Sequence, residues 1–166
     1  MVNKKLGNQV LADARQNGLA VIVILHCTTQ DVVDVECTFQ TLEKVGIIYK
    51  ESIKSDMLDA VQGFIDAGGE FIAWICGHLH QDWFGIVPNY PDQLLIANAT
   101  ASHTVPWRCD DMVEGTMSQD RFNIFNVEPK YKYVRIYRVG LEFDRNLRHI
   151  GSICYDYKNK NLVYNI

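Results

Sequence analysis

The stretch Ile72-Ala73-Trp74-Ile75-Cys76-Gly77-His78-Leu79-His80-Gln81-Asp82 decides which fold the chain can take. Its apolar run, begun at Phe71, stops at Gly77, and two histidines follow, two residues apart. That is the form of a buried strand ending at the carboxyl edge of a sheet. Residues two apart on an extended backbone point the same way, so His78 and His80 can face one small volume. Gly77, with no Cβ, can turn the chain sharply and let a ligand approach closely. Two neutral imidazoles on one side of a strand end suit a divalent metal. A lone His-x-His is a weak sign, since ordinary folds contain many. Here a second apolar run, Leu19 to Leu25, also ends on a histidine, His26. Two strands that each end in an imidazole are expected to bring His26, His78 and His80 to a common pocket at neighbouring strand tips.

The segments leading into these strands repeat one step. Asn3 to Asn17 reads as an amphipathic helix with Leu6, Val10, Leu11 and Ala14 on its inner stripe, stopped by Asn17-Gly18. Ser55 to Ala67 reads as a second helix, capped by Ser55, with Leu58, Val61 and Ile65 inward and Gly68-Gly69 as its stop. Helix, strand and histidine therefore occur twice in order. The β-branched run Leu19 to Leu25 is expected to be a strand buried on both faces. Thr28 to Lys54 reads as an excursion over the strand ends, with one short helix at Thr38 to Val45.

The later chain changes character. Pro88 to Asp92 is a turn cluster, Leu94 to Ala97 a short strand, and Asn98 to Asp111 mostly loop. Phe122 to Val127 and Tyr131 to Val139 read as an antiparallel hairpin about Glu128-Pro129, with further strands at Ser152 to Tyr157 and Leu162 to Ile166. No linker separates the halves, so residues 1–166 are expected to form one domain. The expected class is mixed α and β, α/β in the first half and mostly antiparallel β in the second.

Composition narrows the function classes. At 166 residues, 48% hydrophobic and 22% charged, the chain can bury a proper core. A formal charge of −4 gives no general attraction to nucleic acid or anionic membrane, and neither is expected as a partner. The longest apolar run falls far short of the ~20 residues that span a bilayer. No apolar signal segment follows the basic N-terminus. Five scattered cysteines (Cys27, Cys37, Cys76, Cys109 and Cys154), without Cys-x-x-Cys spacing, suggest reduced thiols in a cytoplasmic protein. The alternating strip Lys130 to Arg138 would place Lys130, Lys132 and Arg138 on one side of a strand and the tyrosines with Arg135 on the other. A half-exposed strand with lysines guarding its edge accounts for that pattern.

His26 after its strand and Gly77-His78-Leu79-His80 after the next resemble the last two motifs of the calcineurin-like metallophosphoesterases. Tyr137 to Gly140, followed by Asp144-Arg145, also resembles the end of such chains, so the likeness covers roughly Leu19 to Arg145. The family's earlier motifs, built on Asp-x-His, Gly-Asp and Asn-His, occur nowhere in the 166 residues. The resemblance therefore implies the C-terminal half of a layered αββα sandwich, as in a truncated or split enzyme. It implies that His26 and His78 hold one metal and His80 the other, from the Mn, Fe, Zn or Ni class, acting on phosphate mono- or diesters. The bridging aspartate, the asparagine ligand and the catalytic histidine belong to the missing motifs, so no catalytic residue is assigned in this chain. Without those carboxylates, three histidines are expected to hold at most one ion, weakly, with little or no hydrolysis by the chain alone.

Asp82 could orient a liganding histidine, although a solvated loop aspartate is the simpler account. Trp83, His103, Arg108 and His149 fit packing or surface roles better than ligand roles. Two other classes compete. One is a non-catalytic binding or oligomerising remnant, since half a layered fold leaves an apolar sheet face that seeks a partner, either a second copy or the missing half. The other is a metallo-β-lactamase-like hydrolase, whose His-x-His-x-Asp-His pattern is met from His78 to Asp82 and broken at Trp83.

Overall fold

A computed structural model describes residues 4–26, 55–77, 83–87, 89–97, 121–140 and 152–165. They have mixed α and β content: helices α1 (Lys4–Gln16) and α2 (Ser55–Asp66), and strands β1 (Ala20–Leu25), β2 (Glu70–Cys76), β3 (Trp83–Ile86), β4 (Leu94–Ala97), β5 (Arg121–Glu128), β6 (Tyr133–Gly140), β7 (Ser152–Asp156) and β8 (Asn161–Asn165). They fall into two compact units, the first built on α1, α2 and β1 to β4, the second on β5 to β8. The expected excursion at Thr28 to Lys54 and the loop Asn98 to Asp111 lie outside the described residues. No helix among the described residues is long and apolar enough to cross a membrane.

In the first unit the sheet order is β1-β2-β4-β3, with β1 and β2 parallel. Both helices stop by the same device. At the end of α1, Gly18 N donates to Arg15 O and Leu19 N to Ala14 O, with Gly18 at φ 62. At the end of α2, Gly68 N donates to Ile65 O and Gly69 N to Phe64 O, with Gly68 at φ 85. This is the paired capping of a left-handed glycine terminus, which satisfies the last carbonyls and turns the chain out of the helix. A strand begins two residues after each left-handed glycine, at Ala20 and at Glu70. Gly69 is fixed by packing as well, because a Cβ there would overlap the ring of Phe64.

The inner stripe of α2 is Leu58, Val61 and Phe64, all buried, with Ile65 only half-buried. On α1, Ala14 is buried and Leu11 half-buried, but Val10 is 57% exposed, contrary to the expected stripe. The helix is rolled so that Leu11 and Ala12 line a shallow cleft of about 200 Å³ against Ala60, Gly63 and Phe64, which leaves Val10 on the outer side. Arg15 closes the pair, donating from Nη1 to Ala67 O at 3.2 Å.

The apolar runs differ in depth. Phe71, Ile72, Ala73, Trp74 and Cys76 of β2 are all buried, as expected for a strand covered on both faces. The expectation that β1 is equally buried is corrected: it lies at an edge of the sheet, and Ile24 is 74% exposed. A β-branched run records that a strand can be covered, not how many neighbours it has.

One buried amide ties the first unit together. Gln93, fully buried just before β4, accepts from Trp74 Nε1 at 2.9 Å and donates through Nε2 to Leu58 O at 2.8 Å and Gln62 Oε1 at 3.3 Å. Sheet and α2 are thus joined through one side chain whose polar atoms all have partners. The expected turn precedes it: Tyr90 N donates to Val87 O and Gln93 N to Tyr90 O, with Asn89 at φ 65.

The second unit is an antiparallel sheet of order β5-β6-β7-β8. One face pairs Phe125 with Ile136 and Val127 with Val134, then Ile136 with Ile153 and Val134 with Tyr155. Val134, Ile136, Ile153 and Tyr155 are buried. The expected hairpin and the two late strands are present, but Tyr131 and Lys132 belong to the turn, with Lys132 at φ 62. The expected strand-long strip from Lys130 to Arg138 is therefore broken at Tyr133. Cys76 and Cys154 are buried thiols; Cys27, Cys37 and Cys109 lie outside the described residues.

Candidate metal centre

The register of β1 on β2 decides what the two strand tips bring together. It begins with Ala20 opposite Glu70 and Val21 opposite Phe71, then slips by one residue, so that Ile22 faces Ala73 and Leu25 faces Cys76. Such an extra residue locally bends and twists a strand pair. Ile72 is the residue passed over. Its effect is carried to the end of the pair, where Gly77 N donates to His26 O at 3.1 Å. Without that slip His26 would stand opposite Cys76. With it, His26 stands opposite the glycine that directly precedes His78.

The His26 ring leans toward that glycine. A Cβ placed on Gly77 would lie 3.7 Å from His26 O and 3.9 Å from His26 Nδ1, in ordinary contact. The glycine is thus not demanded by crowding from the described residues. His26 is exposed at the end of its strand, while Cys76, one residue before Gly77, is buried. On β2 the burial ends with the strand, between buried Cys76 and half-buried Gly77, at the carboxyl edge where parallel sheets receive ligands.

Of the three sequence-predicted ligands, His26 is placed at this edge; His78 and His80 lie outside the described residues, as do Asp82, His103, Arg108 and His149. Trp83 is the first residue of β3, a strand separated from β2 by β4. Among the described residues no three His, Cys, Asp or Glu side chains gather at metal-binding distance. What the geometry offers chemically is limited and definite: among the described residues, the His26 imidazole stands beside the backbone at Gly77, which directly precedes His78. Compared with known proteins, the chain matches no family model and no curated protein sequence.

Proposed function

We propose that this chain supplies the histidine side of a divalent-metal site for phosphoester hydrolysis, as in the C-terminal half of a calcineurin-like metallophosphoesterase with an αββα sandwich. The supporting observation is the hydrogen bond from Gly77 N to His26 O, which aligns the two histidine-bearing strand ends side by side. The donor set fits such a metal in kind, since neutral imidazoles serve Mn, Fe, Zn and Ni, but it lacks the carboxylates that balance dications. His26 and His78 would share one ion and His80 would meet a second. A bound ion of this class polarises phosphate oxygens and lowers the pKa of coordinated water. The chain's own contribution is to hold His26 against the tip of β2. Carboxylate ligands and the catalytic histidine come from sequence outside these 166 residues, on a longer chain or a partner, in a cytoplasmic protein acting on phosphate mono- or diesters.

Calorimetric titration of the full chain with Mn²⁺ and Zn²⁺ tests the ligand set directly. At most one weakly held ion is expected, with affinity reduced about 10-fold or more by His26→Ala or His78→Ala and unchanged by His103→Ala. Two tightly held ions, or indifference to His26→Ala and His78→Ala, would refute the assignment. Hydrolysis of a phosphodiester by the chain alone is expected to be negligible, and to appear when the missing motifs are supplied in trans.

A second reading, a non-catalytic self-associating module, is favoured by a different observation. On the second unit's outer face, Phe122 lies opposite Val139 and Ile124 opposite Tyr137, and all four are exposed. Such a patch marks an interaction surface, independent of whether the histidines hold metal.

A further inference from the structure

The end of α1 holds the one Asn-Gly pair in the sequence, Asn17-Gly18. Both residues are exposed, and they form the joint between α1 and β1. Gly18 has no side chain to shield its main-chain nitrogen or to restrain its φ. In such a pair that nitrogen can reach the side-chain amide carbon of the preceding asparagine and close a five-membered ring. Two bonds in the structure oppose this. Gly18 N is committed to Arg15 O at 3.1 Å, and Asn17 Nδ2 is turned back onto Asp13 O at 2.7 Å.

Both bonds belong to one cap. Asn17 N donates to Asp13 O at 3.0 Å and Leu19 N to Ala14 O at 2.8 Å, so the last helical turn and its left-handed stop close together. While the cap is closed, the N–H of Gly18 points at a carbonyl behind it and the Asn17 amide is held against the helix. Helix ends open at a far lower free-energy cost than the whole fold. Each opening frees the nitrogen and the amide at once.

We propose that Asn17 is a site of spontaneous deamidation, gated by the cap of α1. Once the cap opens, Gly18 N bonds to Asn17 Cγ; the proton it sheds leaves with Nδ2 as ammonia, and a cyclic imide remains. Water then opens either imide carbonyl. The product is aspartate, or isoaspartate, in which the main chain runs through Cβ and Cγ. Neither restores the cap as it was. Both exchange the amide donor for a carboxylate at the helix C-terminus, where the helix dipole and Asp13 O disfavour negative charge. Isoaspartate also lengthens the main chain by one carbon just before Gly18, so the bonds from Gly18 N and Leu19 N lose their spacing. The change runs one way, from a capped helix to a frayed one. It is independent of the histidine site, so its test needs no metal.

Mass spectrometry of the full chain, held at mildly alkaline pH and digested with trypsin at intervals, measures this. The peptide that begins at Gln16 should gain the mass difference between an amide and an acid, localised to Asn17 by fragmentation, before any other asparagine changes. Conversion should be about 10-fold slower than in the same chain unfolded in urea, since the folded cap is open only part of the time. Gln16→Gly loosens the exposed last turn without altering the reacting pair. It should raise the folded rate about two- to threefold and leave the rate in urea unchanged; circular dichroism confirms that it is folded. If that variant does not fold, hydrogen exchange of the parent decides: Gly18 N–H should be protected by the factor that slows Asn17. In purified deamidated protein the Gly18 and Leu19 amides should exchange about 10-fold faster than in the parent. The proposal falls if Asn17 stays intact while other asparagines convert, or if folded and unfolded chains convert at one rate. It falls equally if Gln16→Gly speeds both alike, which would put the effect in the chemistry and not in the cap.

Discussion

Asp156 ends β7 with its carboxylate turned back over the loop that follows. Oδ1 accepts from Lys158 N at 3.0 Å and Asn159 N at 2.8 Å, and Oδ2 from Asn159 Nδ2 at 2.7 Å. Burial pushes this carboxyl up, but the backbone and side-chain bonds from Asn159, the Lys158 N–H and the nearby Lys158 charge together hold it below its ordinary value. A carboxyl whose folded pKa is depressed adds stability that is present above its unfolded value, about 3.9, and is lost as pH falls through the lower folded value. Asp156→Ala should therefore cost about 1–2 kcal/mol near neutral pH, from bonds that nothing replaces. The gap between variant and parent should narrow only below about pH 4. Urea unfolding of both proteins across that range checks the sign: a gap that widens in acid contradicts it. The turn at Lys158 and Asn159 is held by this residue.

Among the elements, the joint between α2 and the sheet rests on Trp74 and Gln93, both fully buried. Gln93→Leu strands the indole N–H of Trp74 at a fully buried position, which should cost about 2–3 kcal/mol. Trp74→Phe leaves the Gln93 oxygen unmatched and should cost at least as much, through the smaller ring as well. Removing both partners deletes the unpaired atoms together, so the double variant should be less destabilised than the sum of the two. Denaturant unfolding of the four proteins gives the coupling; strict additivity would mean that the hydrogen bond carries no net stability.

What the sequence revealed about these elements follows from how local each signal is. Glycine stops at Gly18 and Gly68 act within five residues, and both helices and their strands are where they were expected. The role of Gln93 was hidden because its partners, Leu58, Gln62 and Trp74, are 19 to 35 residues away. The edge position of β1 was hidden for the same reason: an apolar run is silent about its neighbours. At Lys130 to Lys132 alternation ran unbroken through a turn, and only the positive φ of Lys132 separates loop from strand. Of the proposed site, the side-by-side strand ends were legible in two runs each closed by a histidine. The one-residue slip that sets His26 against Gly77 was not, since neither strand's sequence marks it.

At the scale of the whole molecule, solution behaviour is set by charge against exposed apolar surface. A net charge of −4 gives weak mutual repulsion, and it vanishes near the isoelectric point of about 5.7. Against it stand Phe122 and Ile124 at 48% and 49% exposure, each opposed across the hairpin by Val139 or Tyr137. Because the pairs lie in register on one face, their apolar area is contiguous rather than scattered, which is the condition for association. Light scattering on a sizing column should therefore give a mass above the 19.0 kDa of one chain, rising with concentration and as pH approaches the isoelectric point. Phe122→Lys with Ile124→Lys breaks both pairs without touching the buried face of Phe125 and Val127, and should return the chain to a monomer. Parent protein that stays monomeric at every concentration would remove the self-associating reading. Association that survives the double change would place the contact elsewhere, and the exposed Ile24 on β1 is then the next residue to alter.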